Sequence, residues 1–184
     1  MKKINEIPLK LAAALAMLAA ISIILGKYLA IPGGEVLRFS FENLPIILAA
    51  LVFGPFAGAL VGAVADLLGC LMVGYTINPM VTLGAVALGA VSGIAYKLLG
   101  RTALPLGVKV GSSIAIAHLI GSVVIKTFGL AVFYDMPFPV LMAWRALNYL
   151  IVGILEGILI YALLKNKMVC KQIASMKIGK GSGE

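Results

Sequence analysis

Long apolar runs joined by short polar connections constrain this chain more than any other feature it has. No charged side chain occurs from Leu44 to Ala65, and none from Leu67 to Tyr96. A soluble fold needs about a quarter of its residues charged; here 12% are charged and 62% hydrophobic, with a mean hydropathy of +1.11. A helical membrane span takes roughly 20 mostly apolar residues, so the 184 residues hold about six with short connections. The runs are too long and too continuous for the alternating segments of about 10 residues that a transmembrane barrel uses. The expectation is an all-α integral membrane protein, a bundle of about six transmembrane helices. That bundle forms one domain over residues 9–164, between a cytoplasmic N-terminus, 1–8, and a basic cytoplasmic tail, 165–184.

The spans read as Leu9 to Leu29, Asn43 to Phe53, Phe56 to Val73, Pro79 to Leu99, Leu106 to Thr127 and Pro139 to Leu164. The second is too short to cross alone at 1.5 Å per residue, and is expected to be extended at one end or sheltered by protein. The opening lysines and apolar run resemble a signal peptide, but the run is long and lacks a clear small-residue cleavage region, so it is read as a retained first helix. Cys70 lies in an apolar run and Cys170 in the basic tail, which argues against a disulfide framework and against a zinc site.

Lysine and arginine orient the bundle. Lys2, Lys3 and Lys10 precede the first span, Lys97, Arg101 and Lys109 lie between the fourth and fifth, and Lys165, Lys167, Lys171, Lys177 and Lys180 follow the sixth. With six spans these groups share one side, which the positive-inside rule assigns to the cytoplasm, together with both termini. The net charge of +8 is then accounted for by topology and by attraction to anionic inner-leaflet lipid, without nucleic acid. The tail is expected to be a mobile extension. Its "GKGS" lacks the earlier glycine of a phosphate loop and follows no strand, so ATP binding within the chain is rejected.

Polar groups gather at the other, outer end. Arg38 and Glu42 lie in the first connection, Tyr75, Thr76 and Asn78 between the third and fourth spans, Lys126 at the end of the fifth, and Arg145 with Asn148 near the start of the sixth. Arg145 and Asn148 share a helix face, as do Trp144 and Asn148. An ionised group about 9 Å into a span normally points into protein or a wet cavity. Arg145 is therefore either a ligand group, a side chain reaching back to the headgroups, or the partner of Glu42. Arg38, Lys126 and Arg145 together form a candidate anion site. Phe39, Phe41, Tyr75, Phe128, Phe133, Tyr134 and Trp144 at the same level can stack on a flat ring or form an interfacial aromatic belt.

Asp66 falls near mid-depth and Glu156 lies nearer the cytoplasmic end, each either a proton or cation relay or a buried, hydrogen-bonded acid. His118 stands alone in the sequence and reads as a packed histidine, since metal sites need several ligands. Small residues recur every four positions: Ala12, Ala16 and Ala20 in the first helix, Gly54, Gly58 and Gly62 before and in the third, and Gly89 with Gly93 in the fourth. Such spacing lets helices approach closely, and the first helix has a small-residue face open to an outside partner. No nucleophile and base, metal set or catalytic carboxylate pair emerges, so an enzyme is not expected.

With "AAALAMLAA", "RFSFENLPIILAALVFGPFAGALVGAVADLLG", "INPMVTLGAVALGAVSGIAYK" and "WRALNYLIVGILEG", the chain resembles the substrate-binding S component of energy-coupling factor (ECF) vitamin transporters, most of all the folate-specific branch. The resemblance covers essentially the whole apolar region. It implies a six-helix bundle in a bacterial cell membrane that captures folate or a related vitamin from outside. The bundle then joins a transmembrane T component and two cytoplasmic ATPase subunits, with no cofactor of its own. It assigns docking on the T component to Ala12, Ala16 and Ala20, and gating of the pocket to connections around Gly33 to Phe41, Gly74 to Asn78 and Phe128 to Pro137. Position and chemistry nominate Arg38, Phe39, Tyr75, Asn78, Lys126, Phe128, Tyr134, Trp144, Arg145 and Asn148 as substrate contacts. Arg38, Lys126 or Arg145 would receive the glutamate carboxylates, while aromatic walls and an amide of Asn148 or Asn78 would hold the pterin. The alternatives are an S component for another vitamin or precursor, and a helical packing or regulatory subunit without a ligand.

Overall fold

A computed structural model of the chain describes residues 9–32 and 38–177. The proposed N-terminal segment, 1–8, lies outside the described residues, as do the end of the tail, 178–184, and part of the first connection, 33–37. The helices are α1 (Leu9–Ile23), which continues through a π-helical stretch at Ile24–Tyr28, α2 (Asn43–Phe53), α3 (Pro55–Val73), α4 (Pro79–Leu99), α5 (Leu106–Ala117), α6 (Lys126–Tyr134), α7 (Phe138–Lys165) and α8 (Lys167–Lys177). A second π-helical stretch, His118–Ile125, joins α5 to α6 in one continuous rod.

Five of these columns are long and apolar enough to cross a membrane: Leu9–Tyr28, Pro55–Val73, Pro79–Leu99, Leu106–Phe133 and Phe138–Lys165. The sixth, α2, has 11 residues, about 16 Å of helix. It succeeds because protein surrounds it: Asn43, Pro45, Ile46, Ile47, Ala49, Ala50, Leu51 and Val52 are all buried. A helix that is apolar all round belongs in the middle of a bundle. Gly54, with φ 103°, makes the sharp junction to α3, a backbone conformation that side-chain-bearing residues rarely adopt.

The small-residue series decides how closely the inner helices approach. A Cβ placed on Gly58 would collide with Ala50, one on Gly62 with the Ala85 carbonyl, and one on Gly89 with the Gly58 backbone. Those glycines therefore set the α2–α3–α4 spacing. Across α4, Gly84 and Gly121 meet in the same way against the α5–α6 rod. Leu15, Ala19, Ile47, Val61, Leu88, Ile114 and Ile160 complete the core. Ala12, Ala16 and Ala20, by contrast, lie on the exposed side of α1.

The all-α bundle is as expected, with one two-residue antiparallel ladder, Ile31–Pro32 with Arg38–Phe39, in the first connection. Three details differ from expectation. The fifth span does not stop at Thr127 but runs on as helix to Tyr134, so most of the expected gating segment Phe128 to Pro137 is helical. The sixth begins at Phe138. The tail is helical over Lys167–Lys177, where Val169 and Ile173 are half-buried and Lys167 and Lys171 are exposed. Its apolar residues recur at helical spacing, which a mobile polar extension would not require.

Candidate functional site

Connections alternate between the two ends of the bundle. The end with the ladder, the α3–α4 connection and the α6–α7 connection encloses a cavity of about 580 Å³, well within the range of small-molecule sites. Its walls come from the π stretch after α1 (Gly26, Lys27), the residues leading into α2 (Ser40, Glu42), α3 (Asp66, Cys70), the α3–α4 connection (Tyr75, Thr76), α6 (Lys126, Leu130) and α7 (Arg145, Asn148, Tyr149).

Three of its charged groups, Lys126, Glu42 and Asp66, are already engaged. Lys126 Nζ lies 3.2 Å from Glu42 Oε1 and 3.5 Å from Asn43 Oδ1, with Lys126 only 4% exposed. The Lys126 ammonium holds the Glu42 carboxyl below its ordinary range, against the opposing effect of burial. Asp66, which also lines the cavity, accepts a 2.6 Å hydrogen bond at Oδ2 from Thr82 Oγ1.

The other two cations have no acid within salt-bridge distance among the described residues. Lys27 Nζ stands 5.7 Å above the Tyr75 ring and 3.9 Å from Cys70 Sγ. Arg145 Nη2 donates to the Ser122 carbonyl and to Tyr149 Oη, each at 3.2 Å, with its guanidinium 5.2 Å from the Tyr149 ring. Its Nε is buried without a hydrogen-bond partner. The guanidinium thus reaches the cavity from a half-buried helix position, held in part by a carbonyl of the π-helical stretch.

The nominated residues divide clearly. Tyr75, Asn78, Lys126, Arg145 and Asn148 line the cavity. The Asn78 amide is consumed locally: Oδ1 accepts from the backbone N–H of Met80 and of Val81, capping α4, and Nδ2 donates to the Gly129 carbonyl at 2.9 Å. Phe128 and Trp144 line no part of it and are about half exposed on the outside of the bundle, where an aromatic belt belongs. Arg38 and Phe39 form the second strand of the ladder, while the side chains of Arg38 and Tyr134 lie outside the described residues.

Lys27, Asp66 and Tyr149 complete the cavity and were not nominated. Tyr149 was within reach of sequence reasoning, since it stands four residues after Arg145 on the same helix face. Asp66 and Lys27 become neighbours only through packing. The same is true of His118, which is not alone: Nε2 lies 2.7 Å from Glu156 Oε2, Nδ1 lies 3.3 Å from Ser122 Oγ, and the ring stacks on Tyr149.

A second, almost wholly apolar cleft of about 540 Å³ lies between α5 with its π stretch and α7. It offers little to orient a polar ligand, whereas the first cavity brings charge, amides and aromatic rings together.

The structure is thus a helical bundle with five columns apolar enough to cross a membrane and a polar cavity at one end. Residues 6–175 match the family model described as the ECF-type riboflavin transporter, S component. The chain belongs to this family of ECF S components. It is therefore a multi-pass membrane protein that binds a vitamin-type substrate for a transporter, and not an enzyme. Three solved structures share its fold. FolT bound with folic acid is 22% identical with a TM-score of 0.67, over 83% of this chain and 90% of that one. The biotin S component of an ECF-type ABC transporter is 18% identical with a TM-score of 0.64, over 85% and 92%. A further bacterial ECF S component is 20% identical with a TM-score of 0.54, over 91% and 97%. No curated protein matches the sequence.

Proposed function

We propose that this S component captures folate from outside a bacterial cell membrane, with both termini cytoplasmic. It then passes the vitamin to a transporter energised by two separate ATPase subunits through a T component docked on Ala12, Ala16 and Ala20. The observation that carries the folate reading is the pair of cations, Lys27 and Arg145, facing one cavity beside Tyr75 and Tyr149 with no acid within salt-bridge distance among the described residues. Folate presents two tail carboxylates to such a pair and a flat ring to the aromatic walls, and the donor edge of its pterin suits the Asp66 carboxylate. Lys126, with Glu42, and Asn148 border the same space. Arg38 and Phe39, on the ladder in the first connection, are proposed to contribute from its mouth. The fold shared with FolT supports the same choice.

The second reading is riboflavin, favoured by the description of the family model. Its ring is uncharged and it has no carboxylate, so it would offer neither cation an anionic group. Equilibrium binding of labelled folate to the purified chain, in competition with riboflavin and biotin, decides between them. Folate is expected to bind tightly and to resist both competitors. Lys27→Gln and Arg145→Gln should each weaken it by about one to two decades, the worth of a hydrogen bond to a charged group, and should weaken an analogue lacking the glutamate tail much less. Preferential binding of riboflavin, or equal losses for folate and the tail-less analogue, would overturn the assignment.

A further inference from the structure

Glu156 is fully buried in α7, with one oxygen 2.7 Å from His118 Nε2 and the other, Oε1, without a hydrogen-bond partner. A side chain needed only to fill this space would cost less as an apolar residue, because a buried acid with an unsatisfied oxygen is expensive. The contacts of His118 show what the acid holds in place. The imidazole stacks on Tyr149 at 5.0 Å between centroids and 24° between planes, and its Nδ1 faces Ser122 Oγ at 3.3 Å. Tyr149 Oη and the Ser122 carbonyl are the two groups that Arg145 Nη2 grips. Two separate routes therefore lead from the imidazole to the one guanidinium, through the Tyr149 ring and through Ser122. Gly153 permits this, since a Cβ there would press on His118 Cδ2 at 3.3 Å.

The geometry points to Glu156 and His118 as positioning residues for the substrate cation Arg145, although neither lines the substrate cavity. Glu156 fixes the ring orientation of His118, as a carboxylate fixes the imidazole behind a metal or a nucleophile. The stacked ring and Ser122 then hold Arg145 in one rotamer, so that the substrate does not have to order it on binding. The inference rests on the reading of Arg145 as the cation that meets substrate.

The test uses Glu156→Gln in the full-length purified chain, with two readouts. The first needs no ligand. Arg38, Arg101 and Arg145 are the arginines of this chain, so a guanidinium-carbon spectrum of arginine-labelled protein is simple, and Arg145→Gln identifies the signal shifted by the Tyr149 ring. That signal should move toward the unshifted arginines in Glu156→Gln. The second is affinity: Glu156→Gln should weaken folate about tenfold and the tail-less analogue much less. Ser122→Ala, which removes only the hydroxyl facing Nδ1, should give the same pattern more weakly, and it carries both readouts if Glu156→Gln proves too unstable to purify. An unmoved Arg145 signal, or equal weakening of both ligands, overturns the inference. Wild-type protein that ignores folate while its Arg145 signal still responds to Glu156→Gln overturns the folate reading instead and leaves the positioning role standing.

Discussion

Lys126 and Arg145 look alike in the sequence, yet their surroundings give them different work. Lys126 is bound to Glu42 and almost inaccessible, so its removal strands an acid that is itself largely sheltered. Breaking a fully buried pair costs about 3–5 kcal/mol. Because the Glu42 side chain keeps 27% exposure, Lys126→Gln should cost roughly 2 kcal/mol, and Lys126→Gln with Glu42→Gln together should recover most of it. Thermal unfolding of both variants in one detergent measures this. If the double variant melts no higher than the single one, the pair is not what holds the α2 entry to α6. Lys27 and Arg145 should behave in the opposite way, altering affinity more than melting temperature, because their charged ends face the cavity.

Among the helices, glycine serves two unlike purposes. Gly89 lies against the Gly58 backbone, whereas a Cβ on Gly111 meets nothing within 4 Å. Gly89→Ala must push α3 and α4 apart and is expected to destabilise by about 3 kcal/mol, at the upper end for overpacking, because backbone rather than a side chain must yield. Gly111→Ala only lines the apolar cleft and should be neutral to within about 1 kcal/mol, the gain in helix propensity included. Unfolding of the two variants side by side separates the cases; similar losses would mean that the α5–α7 cleft is as tightly closed as the α3–α4 contact. The π-helical stretch at His118–Ile125 belongs here too. It contains Ser122, whose carbonyl accepts from Arg145, and no local residue preference announced it.

For the bundle as a whole, the docking role proposed for the exposed face of α1 can be tested apart from capture. Ala12, Ala16 and Ala20 take no part in interior packing, so Ala16→Trp should leave vitamin binding within about twofold while abolishing uptake in membranes that contain the T component and ATPases, since a bulky side chain bars close helix approach. Binding to the isolated chain and ATP-driven uptake by the assembled transporter are the two measurements. Loss of both together would show that α1 supports the cavity rather than a partner.

Apolar length and the distribution of lysine and arginine determined the membrane class, the approximate number of apolar columns and the gathering of charge at one end, because each follows from the cost of placing polar groups in hydrocarbon, residue by residue. The short span at Asn43 to Phe53 was legible for the same reason. Other features were decided only by tertiary packing: that Lys126 meets Glu42, that Lys27 and Asp66 join Tyr75 and Arg145 around one cavity, and that His118 finds Glu156 38 positions away. Side-chain pairing between helices depends on their rotation and spacing, and these are set jointly by the glycine contacts of α3 and α4 and by the π turns. No single stretch of sequence contains that information, since each helix face acquires its partner only when all the others are in place.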